Sequence, residues 1–302
     1  MNVSRETSLL FLRRSEKEVV KKAYLIYNQI ISNNMHIHFI ERTISLGKAI
    51  AIFNQKGGVG KTTTNINLAA CLAMKGRKIL ILDIDPQGNT TSGVGISKKG
   101  LMKTTYEVLV DDRIKPENAI LPTGLPNLDI IPASVQLAGA EIELVQLEGR
   151  EKRLKKAIDR IKERYDYIFI DCPPSLGLLT INSLTAVDSV LIPIQCEFYA
   201  LEGVSQLMST IELVKKNLNR DLKIQGVILS MFDGRTNLSI QVVEEVKKYF
   251  KSKVYSTVIP RNVRLAEAPS YGLPITEYDP RSKGAQAYRE FADEFLEWEG
   301  RA

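Results

Sequence analysis

Lys56-Gly57-Gly58-Val59-Gly60-Lys61-Thr62-Thr63 is the stretch of this chain best suited to holding an anion. It follows a short apolar run, Lys48–Phe53, and opens a helix-period segment, Thr62–Lys75, which is the context a phosphate loop requires. The glycines let backbone N–H groups curl round an anion without Cβ clashes. The following helix adds its positive N-terminal end. Lys61 is placed to reach the β- and γ-phosphates of a nucleotide, and the Thr62 hydroxyl to complete the coordination of Mg2+. The loop departs from G-x-x-x-x-G-K-[ST] because position 55 is Gln; a second lysine, Lys56, opens it instead. Spacing alone leaves Lys56 either a solvated surface lysine or a second charge for the phosphates.

Two further stretches supply carboxylates. Leu80-Ile81-Leu82-Asp83-Ile84-Asp85 ends an apolar strand with two acids, and strand alternation predicts both on one side. Pro86 and Gly88 then turn the chain away. Tyr167-Ile168-Phe169-Ile170-Asp171 is a hydrophobic strand closed by an acid, a Walker B pattern in which Asp171 holds Mg2+ directly or through water. Acids at strand C-termini of an open parallel sheet sit where ligands bind. A pair that merely caps a turn is the plainer reading of Asp83 and Asp85.

The elements that position these residues alternate along the chain. Strands are expected at Lys48–Phe53, Lys78–Asp85, Leu128–Pro132, Tyr167–Asp171, Ser189–Gln195, Ile224–Met231 and Val254–Ile259. Helices are expected at Thr62–Lys75, Glu151–Arg164 (charged and on the surface), Leu238–Phe250 and Gly284–Trp298. Strands apolar on both faces and separated by helices imply an α/β fold, with a doubly wound, mostly parallel sheet flanked by helices. No repeat or linker divides residues 46–302, which read as one domain.

The nucleotide motifs carry a resemblance. K-G-G-x-G-K-T-T resembles the deviant Walker A of the ParA/MinD group of P-loop ATPases. Leu137-Ala138-Gly139-Ala140-Glu141, the run Gln195–Gly203, and Tyr278-Asp279-Pro280-Arg281-Ser282 narrow the likeness to the ParA/Soj type. The resemblance covers essentially all of residues 47–298. It implies an ATPase using ATP and Mg2+ that forms a homodimer around ATP. Lys56 is then the signature lysine that crosses to the partner subunit's nucleotide. Asp85 positions or activates the attacking water, and Asp83 supports Mg2+ or the loop. Pro260 and Asn262, in a strand-end loop, pack against adenine. Arg235 and Arg264 contact DNA without sequence preference, with Lys247, Lys248, Lys251 and Lys253 extending the surface. A centromere-binding ParB-type protein is the expected stimulator of hydrolysis. On residues alone, the Pro260–Asn262 loop reads as a turn, the lysines as a solvated helix end, and the arginines as partners for acids such as Glu267.

Bulk properties exclude several classes. The composition, 44% hydrophobic and 25% charged, is that of an ordinary globular chain. No apolar run approaches the roughly 20 residues of a membrane span, no signal-peptide pattern is present, and the expected location is the cytoplasm, at the nucleoid. Three cysteines without C-x-x-C spacing argue for reduced, buried thiols rather than a disulfide framework, zinc site or iron–sulfur cluster. The acids of Glu290–Ala302 disfavour a MinD-like basic membrane helix. A metabolic P-loop enzyme such as an amidoligase, and a bacterial tyrosine kinase, are the remaining rivals.

Residues 1–45 have no counterpart in the family pattern. They hold seven basic and four acidic residues, half of the chain's net +6, and both histidines. A short helix is expected over 15–31. Leu46 can be encoded by TTG, a start codon in some bacteria, with Glu41-Arg42 encodable as a ribosome-site-like stretch nine nucleotides earlier. The expectation is that natural synthesis begins at Leu46, the alternative being a genuine flexible arm. Intact-mass measurement of the native protein decides: a mass beginning at residue 46 is expected, and one beginning at Met1 refutes it.

Overall fold

The structure, a computed structural model, describes residues 47–197 and 200–301. The extension 1–45, its expected helix over 15–31 and the expected start at 46 lie outside the described residues. In chain order the elements are β1 (Lys48–Ile52), α1 (Lys61–Met74), β2 (Ile79–Asp83), α2 (Asn89–Gly93), α3 (Thr105–Val110), β3 (Leu121–Pro122) and β4 (Leu128–Ile131). Then come α4 (Leu137–Leu144), α5 (Arg153–Ile161), β5 (Tyr167–Asp171), α6 (Leu178–Ala186), β6 (Ser189–Gln195) and α7 (Ala200–Asn217). The chain continues with β7 (Lys223–Phe232), α8 (Asn237–Phe250), β8 (Val254–Pro260), α9 (Val263–Glu267), α10 (Ile275–Tyr278) and α11 (Lys283–Arg301).

The strands form one sheet in the order β3-β4-β2-β5-β1-β6-β7-β8. Every pairing is parallel except the short β3–β4 edge. This is the expected doubly wound sheet, and from Gly47 onward the described residues make one compact unit. Parallel strands need crossovers, and the crossover helices cover both faces. Alternation along β1 sends Ala49 and Ala51 into one core, with α3 to α8, and Ile50 and Ile52 into the other, with α1, α9, α10 and α11. Both faces of β1, β2 and β5 are buried, so these strands read as nearly continuous apolar runs.

Two expectations need correcting. The segment 151–164 is not simply a charged surface helix. Its α-helical part is Arg153–Ile161, bounded by 3-10 turns, and Leu154, Ala157, Ile158 and Ile161 are buried. The charge count concealed an apolar stripe at helical spacing. Likewise β2 stops at Asp83, so strand alternation never reaches Asp85. Asp83 is fully buried and Asp85 only partly.

The last helix is pinned to the sheet by aromatic packing and by its acids. Tyr255 of β8 stacks on Trp298 at 4.0 Å and meets the edge of Phe291 at 4.8 Å. Glu294 accepts the N–H groups of Ser256 and Thr257, and Glu299 pairs with Lys48 at 2.8 Å. Replacing the fully buried Phe291 by Ala is expected to cost about 3–5 kcal/mol by the lost burial and the cavity left behind. Urea denaturation measures it; a cost below about 1 kcal/mol would mean that α11 is not seated as described.

Candidate functional site: a nucleotide cleft at the strand ends

β1 is the inner strand at which the connections diverge, between β5 and β6. The chain leaves it into the loop 53–60 and re-enters structure as α1. Gly58 and Gly60 stand at φ +76° and +87°, a region that L side chains rarely adopt, and Gly60 is the N-cap of α1. The loop is tied at both ends. Asn54 Oδ1 accepts the Lys56 N–H at 3.0 Å while its amide donates to Pro193 O at 2.8 Å. Ser230 Oγ, from β7, donates to Val59 O at 2.8 Å. Lys61 is 8% exposed, and its Nζ donates to Lys56 O at 3.0 Å. Burial pulls this amine below the usual lysine range, opposed by the nearby Asp171 and other acidic groups.

An open cleft of about 530 Å3 lies over this loop, a volume suited to a small-molecule ligand. Gly57, Gly58, Gly60, Lys61, Thr62 and Thr63 line it, with Asp85, Pro86, Gln87, Asn89, Pro173, Pro174, Ser175 and Met231. The sheet register sets Asp83 and Asp171 side by side at its edge. Asp171 Oδ2 accepts two hydroxyls, from Thr62 at 2.8 Å and Thr90 at 2.7 Å. Its Oδ1 is buried with no hydrogen-bond partner. Asp83 Oδ2 accepts the Thr91 N–H and hydroxyl at 2.8 and 2.7 Å, and its Oδ1 accepts the Asp85 N–H at 3.2 Å. Burial pushes both carboxyls well above the ordinary aspartate range. A buried carboxylate oxygen left unpaired beside a threonine hydroxyl fits a hard divalent cation such as Mg2+. Asp171 and Thr62 are therefore together, as their motifs predict. Asp83 instead holds the turn at Thr91 and lends its oxygens to the protein.

Lys56 stands partly exposed at the rim, its Nζ 4.0 Å from Glu197 Oε2. Glu197 also accepts from Arg261 at 3.2 Å and from the Gln195 amide.

The comparisons with known proteins follow this geometry. A family model described as AAA domain matches residues 47–224. The sporulation initiation inhibitor protein Soj of Bacillus subtilis is 64% identical over 249 residues, 82% of this chain and 98% of that protein. The chromosome partitioning protein ParA of Myxococcus xanthus is 55% identical over 83% of this chain and 89% of its own length. The chain belongs to the Soj/ParA family of chromosome-partitioning ATPases. A solved structure of cobyrinic acid a,c-diamide synthase from Mycobacterium smegmatis with bound ADP and magnesium has a TM-score of 0.74 and 39% identity. It covers 85% of this chain and 97% of that one.

The remaining residues that the ParA/Soj resemblance nominated lie on neighbouring loops. Pro260 ends β8 in register with Phe232, one residue beyond the Met231 end of the cleft. Neither Pro260 nor Asn262 lines the cleft itself. The Asn262 side-chain oxygen caps α9, accepting the Arg264 N–H at 2.8 Å, which leaves only its NH2 for a ligand. Arg235 is 88% exposed and held bidentately by Asp233 at 2.8 and 2.6 Å. Arg264 pairs with Glu267 at 2.9 Å and approaches Asp279 at 3.5 Å. Both arginines thus show the intramolecular pairing that their residues alone suggested. Lys247, Lys248, Lys251 and Lys253 are exposed at the end of α8 and just beyond it. Cys71, Cys172 and Cys196 are buried free thiols.

Thr90, Ser230, Asn54 and Glu197 were not singled out from the sequence. Thr90 follows the Asp85–Asn89 stretch directly, and two hydroxyl residues after an acidic strand end are its only signal. Ser230 has none, being 171 residues from the carbonyl that it holds.

The loop's geometry yields a stability test. At Gly60 a Cβ would meet nothing nearer than Ser230 at 3.8 Å, so Gly60→Ala pays for conformation and not for crowding. The expected cost is about 1–2 kcal/mol in chemical denaturation; a much larger loss would show that contact, not φ, dictates glycine there.

Proposed function

We propose that this chain is an ATP- and Mg2+-dependent DNA-partitioning ATPase that works as a nucleotide-bound dimer. The observation that carries the reading is the pair of lysines. Lys61 is sunk in the phosphate loop, whereas the Lys56 ammonium stands at the rim, its one ion pair among the described residues a long, half-exposed contact to Glu197. Such a contact is worth about 0–1 kcal/mol, so the Lys56 ammonium can leave Glu197 at little cost. The loop amides, Lys61 and the positive end of α1 receive the phosphates. Thr62 and Asp171 would hold Mg2+, which would supply positive charge to offset the charge on the phosphates. Asp85, at the cleft wall, orients the attacking water. Lys56 reaches the facing protomer's nucleotide, much as an arginine finger acts in trans. Pro260 and Asn262, next to the Met231 end, border the base.

In this reading Arg235 and Arg264 exchange their acid partners for DNA phosphates, without reading sequence. Two closed protomers double the contacts, so affinity rises steeply. A ParB-type partner stimulates hydrolysis and release, and the protein works in the cytoplasm at the nucleoid. Residues 46–302 are the functional domain and 1–45 an extension. No helix among the described residues is long and apolar enough to cross a membrane. The apolar face of α11 is taken up by the core. The likeness to cobyrinic acid a,c-diamide synthase favours a second reading, an amidoligase-type enzyme acting on a carboxylate.

Lys56→Ala is expected to bind ATP like the parent, to lose hydrolysis, and to stay monomeric with ATP in light scattering. Normal turnover would reject the trans lysine. Arg235→Ala and Arg264→Ala are each expected to lower DNA affinity with ATP and to reduce the salt slope by about one. Parental DNA binding by both would place the surface elsewhere. Turnover stimulated by a small carboxylic acid and not by DNA would favour the amidoligase reading.

A further inference from the structure

Thr90 is fully buried, and its hydroxyl has a role the nucleotide motifs do not explain. Its Oγ1 donates to Asp171 Oδ2 at 2.7 Å and receives Asn65 Nδ2 at 3.4 Å. A carboxylate can only accept. The Thr90 proton must therefore point at Asp171, and the Asn65 amide occupies a hydroxyl lone pair that would otherwise compete for other donors. Thr62 donates to the same oxygen at 2.8 Å. Two hydroxyls on Oδ2 fix the rotation of the Asp171 carboxyl and leave Oδ1 as the buried, unpartnered atom. A Thr62 hydroxyl that gives its proton to Asp171 also keeps its lone pairs for another ligand. The next residue does the corresponding work for the neighbouring acid, since Thr91 holds Asp83 by N–H and hydroxyl. The helix α2, through Thr90 and Thr91, thus clamps both acids that end β2 and β5.

We propose that Thr90, itself oriented by Asn65, is a positioning residue for the metal site: it locks Asp171 so that a free carboxylate oxygen and the Thr62 hydroxyl face a divalent cation together. The inference rests on the reading that the cleft takes a nucleotide with a divalent cation, and it deepens that reading. Thr90 touches neither; it acts through Asp171. Partners of this kind typically govern metal affinity by about 10–100-fold.

The test measures Mn2+ affinity by electron paramagnetic resonance, with ADP saturating, for the full chain and for Thr90→Val, Thr90→Ser and Asn65→Ala. ADP affinity in EDTA is measured alongside. Val keeps the shape of Thr and removes the hydroxyl, so Mn2+ binding should weaken about 10–100-fold while ADP binding in EDTA stays at the parental value. Ser restores the donor and should bind Mn2+ within about twofold of the parent. Asn65→Ala should weaken Mn2+ in the same direction, which keeps the proposal testable if Thr90→Val fails to fold. Parental Mn2+ affinity in Thr90→Val, or in Asn65→Ala where the former does not fold, overturns the proposal. Equal losses of Mn2+ and metal-free ADP binding overturn it too, as they would report a damaged loop. If the parent binds neither ADP nor Mn2+–ADP, the nucleotide reading itself falls, a result distinct from any variant-specific loss.

Discussion

Asp83 and Asp171 lie side by side at the ends of β2 and β5, cut off from water. Burying one carboxylate costs several kcal/mol, and a second one beside it adds repulsion. The fold offsets this locally with three threonine hydroxyls, two backbone N–H groups and the nearby Lys61 ammonium. The compensation is incomplete, because one oxygen of Asp171 has no partner. Lys61 is itself desolvated, and its ammonium donates to its own loop's carbonyl at Lys56. The site therefore holds unspent charge of both signs within one cleft. Such an arrangement is more comfortable with an anion on the lysine and a cation at the carboxylate than without them. That constraint accounts for the adjacency of β2, β5 and β1 in the sheet.

The sequence exposed the parts of this site whose signals are local. A glycine-rich loop between a strand and a helix is written in consecutive residues, and so is an apolar strand closed by an acid. Strand runs such as Tyr167–Asp171 and Ser189–Gln195 were readable to the residue, because both their faces are buried and turns bound them. Contacts across the sheet were not readable. The hydroxyl of Thr90 meets Asp171 across 81 residues, and Ser230 meets Val59 across 171. No spacing rule connects such pairs; only the strand order does. Strand alternation misled at Asp85 because the strand ends two residues earlier, where Asp83 turns inward to bond Thr91. The charge pattern misled over 151–164 because long charged side chains outnumber a narrow apolar stripe. Asn262 shows a third limit, since one side chain both caps a helix and was nominated for a ligand.

The loops after β6, β7 and β8 are bound into one another. The Arg261 N–H donates to Phe232 O, joining the β7 and β8 loops beside the Met231 end of the cleft. Glu197, just after β6, reaches both Arg261 and Lys56. The rim lysine of the phosphate loop and the loop that leads to Arg264 thus share one carboxylate. Withdrawal of Lys56 toward a facing protomer would leave Glu197 to Arg261 and the Gln195 amide. On that proposal, a change at the nucleotide would be felt, through one shared acid, at the base of the surface proposed to meet DNA.

The strength of that surface follows from the same exposed ion pairs. Arg235 and Arg264 are held by acids at the exposed surface, where solvent screens such pairs and they contribute little. Exchanging Asp233 or Glu267 for a DNA phosphate therefore costs little, but it also gains little per contact, since one anion replaces another. What DNA adds is the release of its condensed counterions, which grows with the number of phosphates neutralised together. A single protomer offering two such arginines is a weak binder on this argument. Two protomers held in one rigid body offer twice as many, and the second set binds at the high effective concentration that the first provides. On the proposed function, nucleotide-dependent DNA binding would need nothing at these arginines beyond that exchange of partners; the buried charges of the cleft would have to make closure of two subunits favourable with ATP and unfavourable without it.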